Sequence, residues 1–247
     1  MSTKYIYTFG VIMTVVVALV LAGFRTLTAE SAARNEDIFN KREILATVAE
    51  PMAAAGLPIE ELTDPEVLEV FETKVDQLIV NANGEPVEDV NFATLDLAKE
   101  YKKPEGQRNY PVYKFSLDED YYVFSVRGNG LWDAIWGNIA LASDLNTVTG
   151  ASFDHAGETP GLGAEIKDNA GWKSQFKGKK IYDGSQFVSI IVRKGGAVDQ
   201  DHEVDGLSGA TVTGDGVTKM LYNGLKAYEP YIEEQRAGAE STSMNMK

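Results

Sequence analysis

The hydrophobic pattern of the chain begins with a long apolar run close to the N-terminus. Residues 5–24 contain no charged residue, and a helix of about 20 residues spans about 30 Å, the thickness of a bilayer core. The apolar core of a cleaved signal peptide is usually shorter, about 7–15 residues. The pattern therefore predicts an uncleaved membrane anchor over residues 1–26, with a signal peptide as the alternative.

The next two segments predict a helix and a linker. Residues 30–49 mix charged residues with apolar ones, and Pro51 is expected to end the helix that they form. Residues 52–65 are rich in Ala, Gly and Pro, which is typical of a linker with short turns. We therefore assign residues 27–66 to a juxtamembrane helix and linker, and we expect a short helix over residues 67–76.

Beyond this linker the pattern changes to the alternation expected of strands. Strand-length runs are present at residues 75–87, 111–117, 121–128 and 187–195, with two more within 138–154. Asn83-Gly84 and the acidic triplet at 118–120 are expected to form turns between strands. These runs predict a largely antiparallel sheet.

The C-terminal part of the pattern predicts helices. Residues 171–180 fit a short helix, and apolar residues recur every three or four positions from about Gly214 to Gln235. The tail at residues 237–247 is small and polar and is expected to be disordered. The predicted fold class is α+β, with a single transmembrane helix followed by one domain over residues 67–236 that contains the sheet.

Composition narrows the functional classes. The chain has 247 residues and a formal net charge of −14, and an acidic protein is repelled by nucleic acid, so we expect no nucleic-acid partner. It contains no Cys, which excludes disulfides, thiolate metal ligands and a Cys nucleophile. The two histidines are His155 and His202, so a histidine-rich metal site is excluded and we expect no metal.

The first of three segments with candidate chemistry is residues 127–137. A predicted strand is followed here by a Gly-Asn-Gly sequence and then by Trp132 and Trp136. Glycines allow positive φ and close approach of another body to the backbone. The segment is either a ligand-contacting turn or a tight turn with two core tryptophans, and the residues alone favour the tight turn.

The second segment is residues 153–166, in which glycines and a proline prevent regular structure. The free backbone N–H and C=O groups of such a loop are suited to a planar polar ligand. His155 and Glu158 fit either an acid/base pair or the capping side chains of a turn, and both alternatives stay open. The single Gly-x-Gly is too weak a motif for a dinucleotide site.

The third segment is residues 205–213, which precede the last amphipathic helix. The first backbone N–H groups of a helix lack internal partners and carry positive partial charge, so a phosphate is stabilised there. Ser208 or Thr211 can equally cap the helix, and Thr213 is a further N-cap candidate. The local sequence leaves an anion site and a capped helix as alternatives.

These three segments carry a resemblance to a known family. The D-x-x-S-G-A-T sequence at residues 205–211 resembles the acceptor motif of covalently flavinylated FMN-binding domains, in which a flavin transferase moves FMN from FAD onto the last threonine. Residues 155–163 and 130–132 resemble two further segments of that family. With the membrane span and the juxtamembrane helix, nearly the whole chain resembles the C-subunit family of sodium-translocating NADH:quinone oxidoreductases.

The resemblance implies a cofactor, FMN, attached through its phosphate to Thr211, with Ser208 shaping the turn. It also implies that the isoalloxazine ring lies against the Gly161-Leu162-Gly163 loop. The other residues that it implies for cofactor binding are Asp205, Gly209, Ala210, Thr213, His155, Glu158, Thr159, Gly130, Leu131 and Trp132. It implies no catalytic residue and no metal ligand in this chain.

The implied function is that of an electron-transfer subunit with covalent FMN in a membrane-bound, sodium-pumping NADH:quinone oxidoreductase. The implied partners are the other subunits of the complex, a flavin transferase for maturation and membrane lipid. The implied location is the bacterial inner membrane, with the soluble domain on the periplasmic face, although Lys4 and Arg25 favour this orientation only weakly. The alternatives are the flavoprotein subunit of the Rnf ferredoxin:NAD complex and a non-redox, membrane-anchored binding module.

Overall fold

The computed structural model describes residues 2–245, with side-chain surroundings as far as residue 238. The chain divides into two compact units, one ending at Lys41 and the other beginning at Arg42. Helix α1 (Thr3–Ala46) runs without interruption through the predicted anchor and most of the predicted juxtamembrane helix. Its most apolar part has a mean hydropathy of 2.4 and is not buried, and within the described residues it is the helix long and apolar enough to cross a membrane.

The second unit begins with short helices that the sequence assigned to a linker. These are α2 (Ala49–Ala54), a 3-10 turn at Ile59–Glu61 and α3 (Asp64–Lys74). Pro51 lies in the first turn of α2, where a backbone N–H would have no helical partner, so it does not end a helix as predicted. Thr63 and Glu66 form a capping box at the start of α3.

A five-stranded antiparallel sheet forms the centre of the described part of the second unit, with strand order β1-β2-β3-β4-β5. The strands are β1 (Val75–Asn81), β2 (Asn109–Ser116), β3 (Asp120–Asn129), β4 (Ala134–Leu141) and β5 (Val148–His155). Helix α4 (Leu97–Glu100) lies in the connection from β1 to β2. The prediction of a mixed fold with a largely antiparallel sheet after one apolar helix is therefore confirmed.

Short elements connect β5 to the last helix. They are α5 (Glu165–Asp168), α6 (Ala170–Ser174), the β6 (Tyr182–Asp183) and β7 (Gln186–Phe187) hairpin, and the parallel pair β8 (Ile191–Arg193) and β9 (Glu203–Asp205). The single strand predicted at residues 187–195 is wrong. Ser189 has a φ of 63°, and this left-handed conformation separates β7 from β8.

Helix α7 (Thr211–Asn245) completes the fold. It begins three residues before the predicted start at Gly214, and it continues past Gln235 through residues 237–245, for which the sequence predicted a disordered tail. The last two residues of that predicted tail lie outside the described part of the chain. The first residue of α7 is the last residue of the candidate acceptor motif, so the motif leads directly into the helix.

Both faces of the sheet are covered, because successive side chains of a strand point to opposite sides. Val112, Phe124 and Val126 belong to a buried cluster with residues of α7. Phe115 and Val123, which alternate with them, belong to a second buried cluster with residues of α2 and α3. Part of the segment that the sequence assigned to a linker therefore contributes to the core, while α7 is fixed against the other face and its first turn is held at one end of the sheet.

Candidate functional site

The start of α7 is built on a left-handed glycine. Gly209 has a φ of 74°, a conformation that other residues rarely adopt. A Cβ atom at this position would lie 2.6 Å from Leu162 Cδ2. The loop that carries the Ser-Gly-Ala-Thr sequence therefore packs directly against the glycine-rich loop at residues 159–163. Gly214 N donates to Ala210 O at 2.9 Å, which continues this loop into the helix.

The two threonines at the start of α7 have different surroundings. Thr211 is the first residue of the helix and is exposed. Thr213 is 1% exposed, and its hydroxyl donates to Glu158 Oε2 at 2.7 Å. The interpretation of Thr213 as a free N-cap is therefore wrong, because its hydroxyl is held by a side chain from another loop.

The carboxylate of Glu158 connects this helix start to the turn between β3 and β4. Its Oε1 accepts from Trp132 N at 2.9 Å, while Oε2 accepts from Thr213. Burial raises the pKa of Glu158, but hydrogen bonds from Thr213 and from backbone N–H groups of residues 131–133 outweigh it and hold the pKa below its usual value. The carboxylate is therefore ionised at neutral pH although the residue is buried.

His155 supports the turn that contains Glu158. Its Nδ1 accepts from Glu158 N at 3.2 Å, which places the ring proton of the neutral imidazole on Nε2. The Glu158 carboxylate is bound to Trp132 and Thr213 instead of to the imidazole. Of the two alternatives left by the sequence, the geometry favours capping side chains of a turn over an acid/base pair.

The turn between β3 and β4 carries exposed apolar side chains. Leu131 is 51% exposed and Trp132 is 70% exposed, so Trp132 is not a core tryptophan. Its indole Nε1 donates to Thr159 Oγ1 at 3.1 Å, which joins this turn to the glycine-rich loop. A Cβ atom at Gly130 would overlap Glu158 Oε1, so a glycine is needed there for the carboxylate to reach the turn.

Two clefts meet at Thr211. The smaller, of about 170 Å³, lies between the β3–β4 turn, the glycine-rich loop and the start of α7. The larger, of about 480 Å³, lies on the other side of the motif loop. The smaller cleft is lined by Leu131, Glu158, Thr159, Leu162, Gly163, Gly209, Ala210, Thr211, Val212 and Thr213. The larger is lined by Val192, Lys194, Gly195, Gly196, Asp205, Gly206, Leu207, Ser208, Gly209, Ala210, Thr211, Gly214 and Asp215.

The structure thus brings the three predicted segments together at the start of α7. Nine of the predicted site residues are among those that line the smaller cleft, and Asp205 and Ser208 line the larger one. Gly130 and His155 instead contact Glu158, and Trp132 is bonded to Thr159. Gly161 has a φ of 73° and shapes the loop from which Leu162 reaches Gly209.

Sequence reasoning missed the turn that forms the far wall of the larger cleft. Gly195 and Gly196 have φ values of 86° and 105°, and Lys194 precedes them. Asp205 Oδ1 accepts from Ala197 N at 2.7 Å, so the first residue of the motif holds this turn in place. The only indication in the sequence was the Lys-Gly-Gly that follows a strand-like run.

Comparisons with known proteins agree with this geometry. A family model described as an FMN-binding domain matches residues 130–226, which include the second and third segments and residues 130–137 of the first. The C subunit of the Na(+)-translocating NADH-quinone reductase of Haemophilus ducreyi is 31% identical over 249 residues, covering 93% of each chain. The protein of the same name from Pseudomonas aeruginosa is 29% identical over 262 residues, covering 96% of this chain and 97% of that relative.

Solved structures give the same result. The C subunit of the Na(+)-translocating NADH-quinone reductase of Parabacteroides distasonis superposes with a TM-score of 0.69 at 35% identity, covering 81% of this chain and 94% of that chain. NqrC from Shewanella oneidensis has a TM-score of 0.66 at 28% identity, covering 80% of this chain and 99% of that one.

Proposed function

The chain belongs to the family of C subunits of Na(+)-translocating NADH-quinone reductases, and from this premise we propose that it carries FMN covalently on Thr211 as an electron-transfer subunit of that membrane complex. FMN binding rests on the match to the FMN-binding domain. The attachment to Thr211 rests on one observation above the others. Thr211 is exposed where the two clefts meet, whereas the hydroxyl of Thr213 is buried and already bonded to Glu158.

The residues at the start of α7 fit FMN. Leu131 and Leu162, which are 51% and 42% exposed, offer apolar surface beside a cleft. Gly163 lines the same cleft, and its missing side chain leaves room for Glu158 and Thr213 in the cleft wall. Gly209 leaves room for the close approach of Leu162 to the motif loop. This set of apolar, glycine and hydroxyl groups suits a ring with a phosphate at its end.

The phosphate end of FMN would be held by the first turn of α7. A phosphate on Thr211 lies beside backbone N–H groups that have no partner within the helix, and the helix dipole favours a negative charge there. Lys194 lines the larger cleft with Thr211 and forms no ion pair with any residue in the described part of the chain. It would therefore supply a cation near the phosphate in a chain that is strongly acidic overall.

The attachment reaction assigns a single role to Thr211. Its hydroxyl oxygen bonds to the phosphorus of the FMN half of FAD, the pyrophosphate bond breaks, and AMP leaves with the hydroxyl proton. A flavin transferase would provide this chemistry, since the site contains no acid/base pair for it. When bound, FMN supplies reversible electron transfer, and the chain's residues position it. A covalent link keeps the local concentration of the carrier high whatever its redox state.

The membrane anchor and its orientation complete the proposal. α1 would span the bacterial inner membrane once, contact lipid and the other subunits, and leave the FMN-binding domain on the periplasmic face. A reporter enzyme that is active only after export, fused after Lys247, should be active. As a control, the same reporter fused directly after Arg25, in place of the rest of the chain, should also be active. If a reporter that works only in the cytoplasm is active when fused after Lys247, the proposed orientation is wrong.

Two other functions are less favoured. The named relatives are C subunits of Na(+)-translocating NADH-quinone reductases and not Rnf subunits. A binding module without redox chemistry would not account for the FMN-binding domain match. Visible flavin absorbance that survives denaturation and precipitation is expected of the native protein, and a colourless protein would favour the binding module.

Substitution of the two threonines tests the attachment site. Thr211→Ala should abolish covalent flavin while the fold is kept, because it removes one hydroxyl from an exposed position. Thr213→Ala should keep the flavin but lower the free energy of unfolding by about 1.5–3 kcal/mol, since it removes a hydrogen bond to a buried charge. The readouts are in-gel fluorescence of the denatured protein and urea unfolding. Covalent flavin in Thr211→Ala would contradict the proposal.

A further inference from the structure

We infer that Glu158 is a positioning residue that holds the cofactor cleft together and keeps a fixed negative charge beside it, so that FMN bound there is harder to reduce than it would be beside a neutral side chain. The inference rests on the proposed function, because it concerns FMN at the same cleft. It assigns to Glu158 a role different from direct cofactor binding, which the sequence resemblance implied.

Glu158 joins three separate segments of the chain. It belongs to the loop after β5, its Oε1 is bonded to the backbone of Trp132 in the β3–β4 turn, and its Oε2 is bonded to Thr213 in the first turn of α7. These are the three segments that line the smaller cleft. The width of that cleft therefore depends on the Glu158 side chain.

The surrounding residues make room for this carboxylate. A Cβ atom at Gly130 would overlap Oε1, and one at Gly163 would overlap Oε2 and would lie 2.6 Å from Thr213 Oγ1. Two glycines from different loops are thus in contact with the two oxygens of one carboxylate. Such a fit is expected of a side chain in a single position and not of a mobile surface carboxylate.

Glu158 carries its negative charge in a buried position. Glu158 is 5% exposed, and the groups that lower its pKa are a hydroxyl and backbone N–H groups and not a Lys or Arg. It is held by neutral donors, namely a hydroxyl and backbone N–H groups. The positive end of the α7 dipole offsets its charge in part. A net negative charge therefore remains at the cleft wall, where water screens it less than at the surface.

Adding an electron to a group beside a buried negative charge is less favourable than adding it beside a neutral side chain. Glu158 lines the cleft that Thr211 borders. Its charge therefore opposes reduction of FMN attached to Thr211, and it lowers the reduction potential.

The test compares the midpoint potential of covalent FMN in the full-length protein and in three variants. Glu158→Gln keeps the side-chain shape and removes the charge, so the potential should shift in the positive direction. Asp168→Asn removes one carboxylate from an exposed position on α5, and its potential should match that of the wild type. Thr213→Val keeps the carboxylate and removes a donor that shields it. Its potential should therefore shift in the negative direction when all proteins are compared at alkaline pH, where Glu158 stays ionised without this hydrogen bond.

The positioning role has a readout that needs no flavin. In a Thr211→Ala background, Glu158→Gln should lower the melting temperature and change the tryptophan emission of the flavin-free protein, because Trp132 N is bonded to Glu158. Asp168→Asn in the same background should change neither.

The outcomes separate the two proposals. A wild-type protein without covalent flavin would overturn the proposed function and this inference with it. A flavin-loaded Glu158→Gln protein with the wild-type potential would overturn the inference alone. If Glu158→Gln does not fold or is not flavinylated, Thr213→Val decides, and an unchanged or more positive potential in that variant would overturn the role of the charge.

Discussion

At the scale of single residues, steric room at the start of α7 limits which residues can occupy the cleft wall. Gly163 has no positive φ, yet a Cβ atom there would lie 2.6 Å from Thr213 Oγ1 and would overlap Glu158 Oε2. The glycine is therefore required because two polar groups occupy the place of a side chain, and not because of backbone conformation.

Replacement of this glycine should be destabilising. Gly163→Ala forces Glu158 and Thr213 apart, and overpacking of this kind costs about 1–3 kcal/mol of unfolding free energy. Gly157→Ala is the control, because its Cβ would lie 3.6 Å from Asp133 Cβ, an ordinary contact, and it should change stability by less than about 0.5 kcal/mol. Urea denaturation of both variants measures the difference. If the two variants have equal free energies of unfolding, the prediction is wrong.

At the scale of elements, two parts of α7 have different roles. Its first turn forms the cleft walls, while its middle is fixed to the sheet by buried residues that include Leu221, Leu225 and Tyr228. The hydroxyl of Tyr228 lies 2.9 Å from both Pro111 O and Ser125 O. One side chain thus ties the helix to the backbones of β2 and β3.

Removal of this hydroxyl should loosen the helix from the sheet. Tyr228→Phe keeps the ring in the core but removes the single hydroxyl proton that the two carbonyls share, so the free energy of unfolding should fall by about 1–2 kcal/mol. Tyr222→Phe, at a position that is 46% exposed on the same helix, is the matched control and should leave stability unchanged. The prediction fails if both variants unfold at the same urea concentration.

The sequence predicted these elements unevenly, for physical reasons. The meander strands and α7 were predicted because their apolar residues repeat with a clear period. The region of β6–β9 was not, because strands of two or three residues have no period and Ser189 breaks the run. The burial of Met52 and Ile59 was also missed, because their segment is short and its apolar residues show no period.

The candidate site was likewise predicted only in part. The acceptor motif, the glycine-rich loop and the β3–β4 turn were located from the sequence. The bond between Glu158 and Thr213 joins residues 55 positions apart, and no local pattern indicates such a contact. The same holds for the bond from Ala197 to Asp205, which places the Lys-Gly-Gly turn beside the motif.

At the scale of the whole molecule, buried tyrosines make the fold sensitive to alkali. Burial raises the pKa of Tyr101, Tyr182 and Tyr231 from 10.0 to about 12. Between these values the unfolded chain loses protons that the folded chain keeps. Stability is therefore fully present below pH 10 and falls as the pH rises from 10 to 12.

The alkaline loss can be measured as a function of pH. The free energy of unfolding from urea titrations should decrease steadily above pH 10. Tyr101→Phe should make the decrease less steep, because one ionising group is removed. A stability that does not change over this pH range, or an equal slope in the variant, would contradict the prediction.

The account as a whole depends on the chemical state of one hydroxyl. The most direct measurement is peptide mass mapping of the protein purified from its native membrane, after denaturation and proteolysis. The account predicts that the peptide containing Thr211 carries the mass of FMN linked through phosphate, and that fragmentation places the link on Thr211 and not on Thr213. A flavin on Thr213, or a Thr211 peptide of unmodified mass beside a flavin that is released by denaturation, would contradict it.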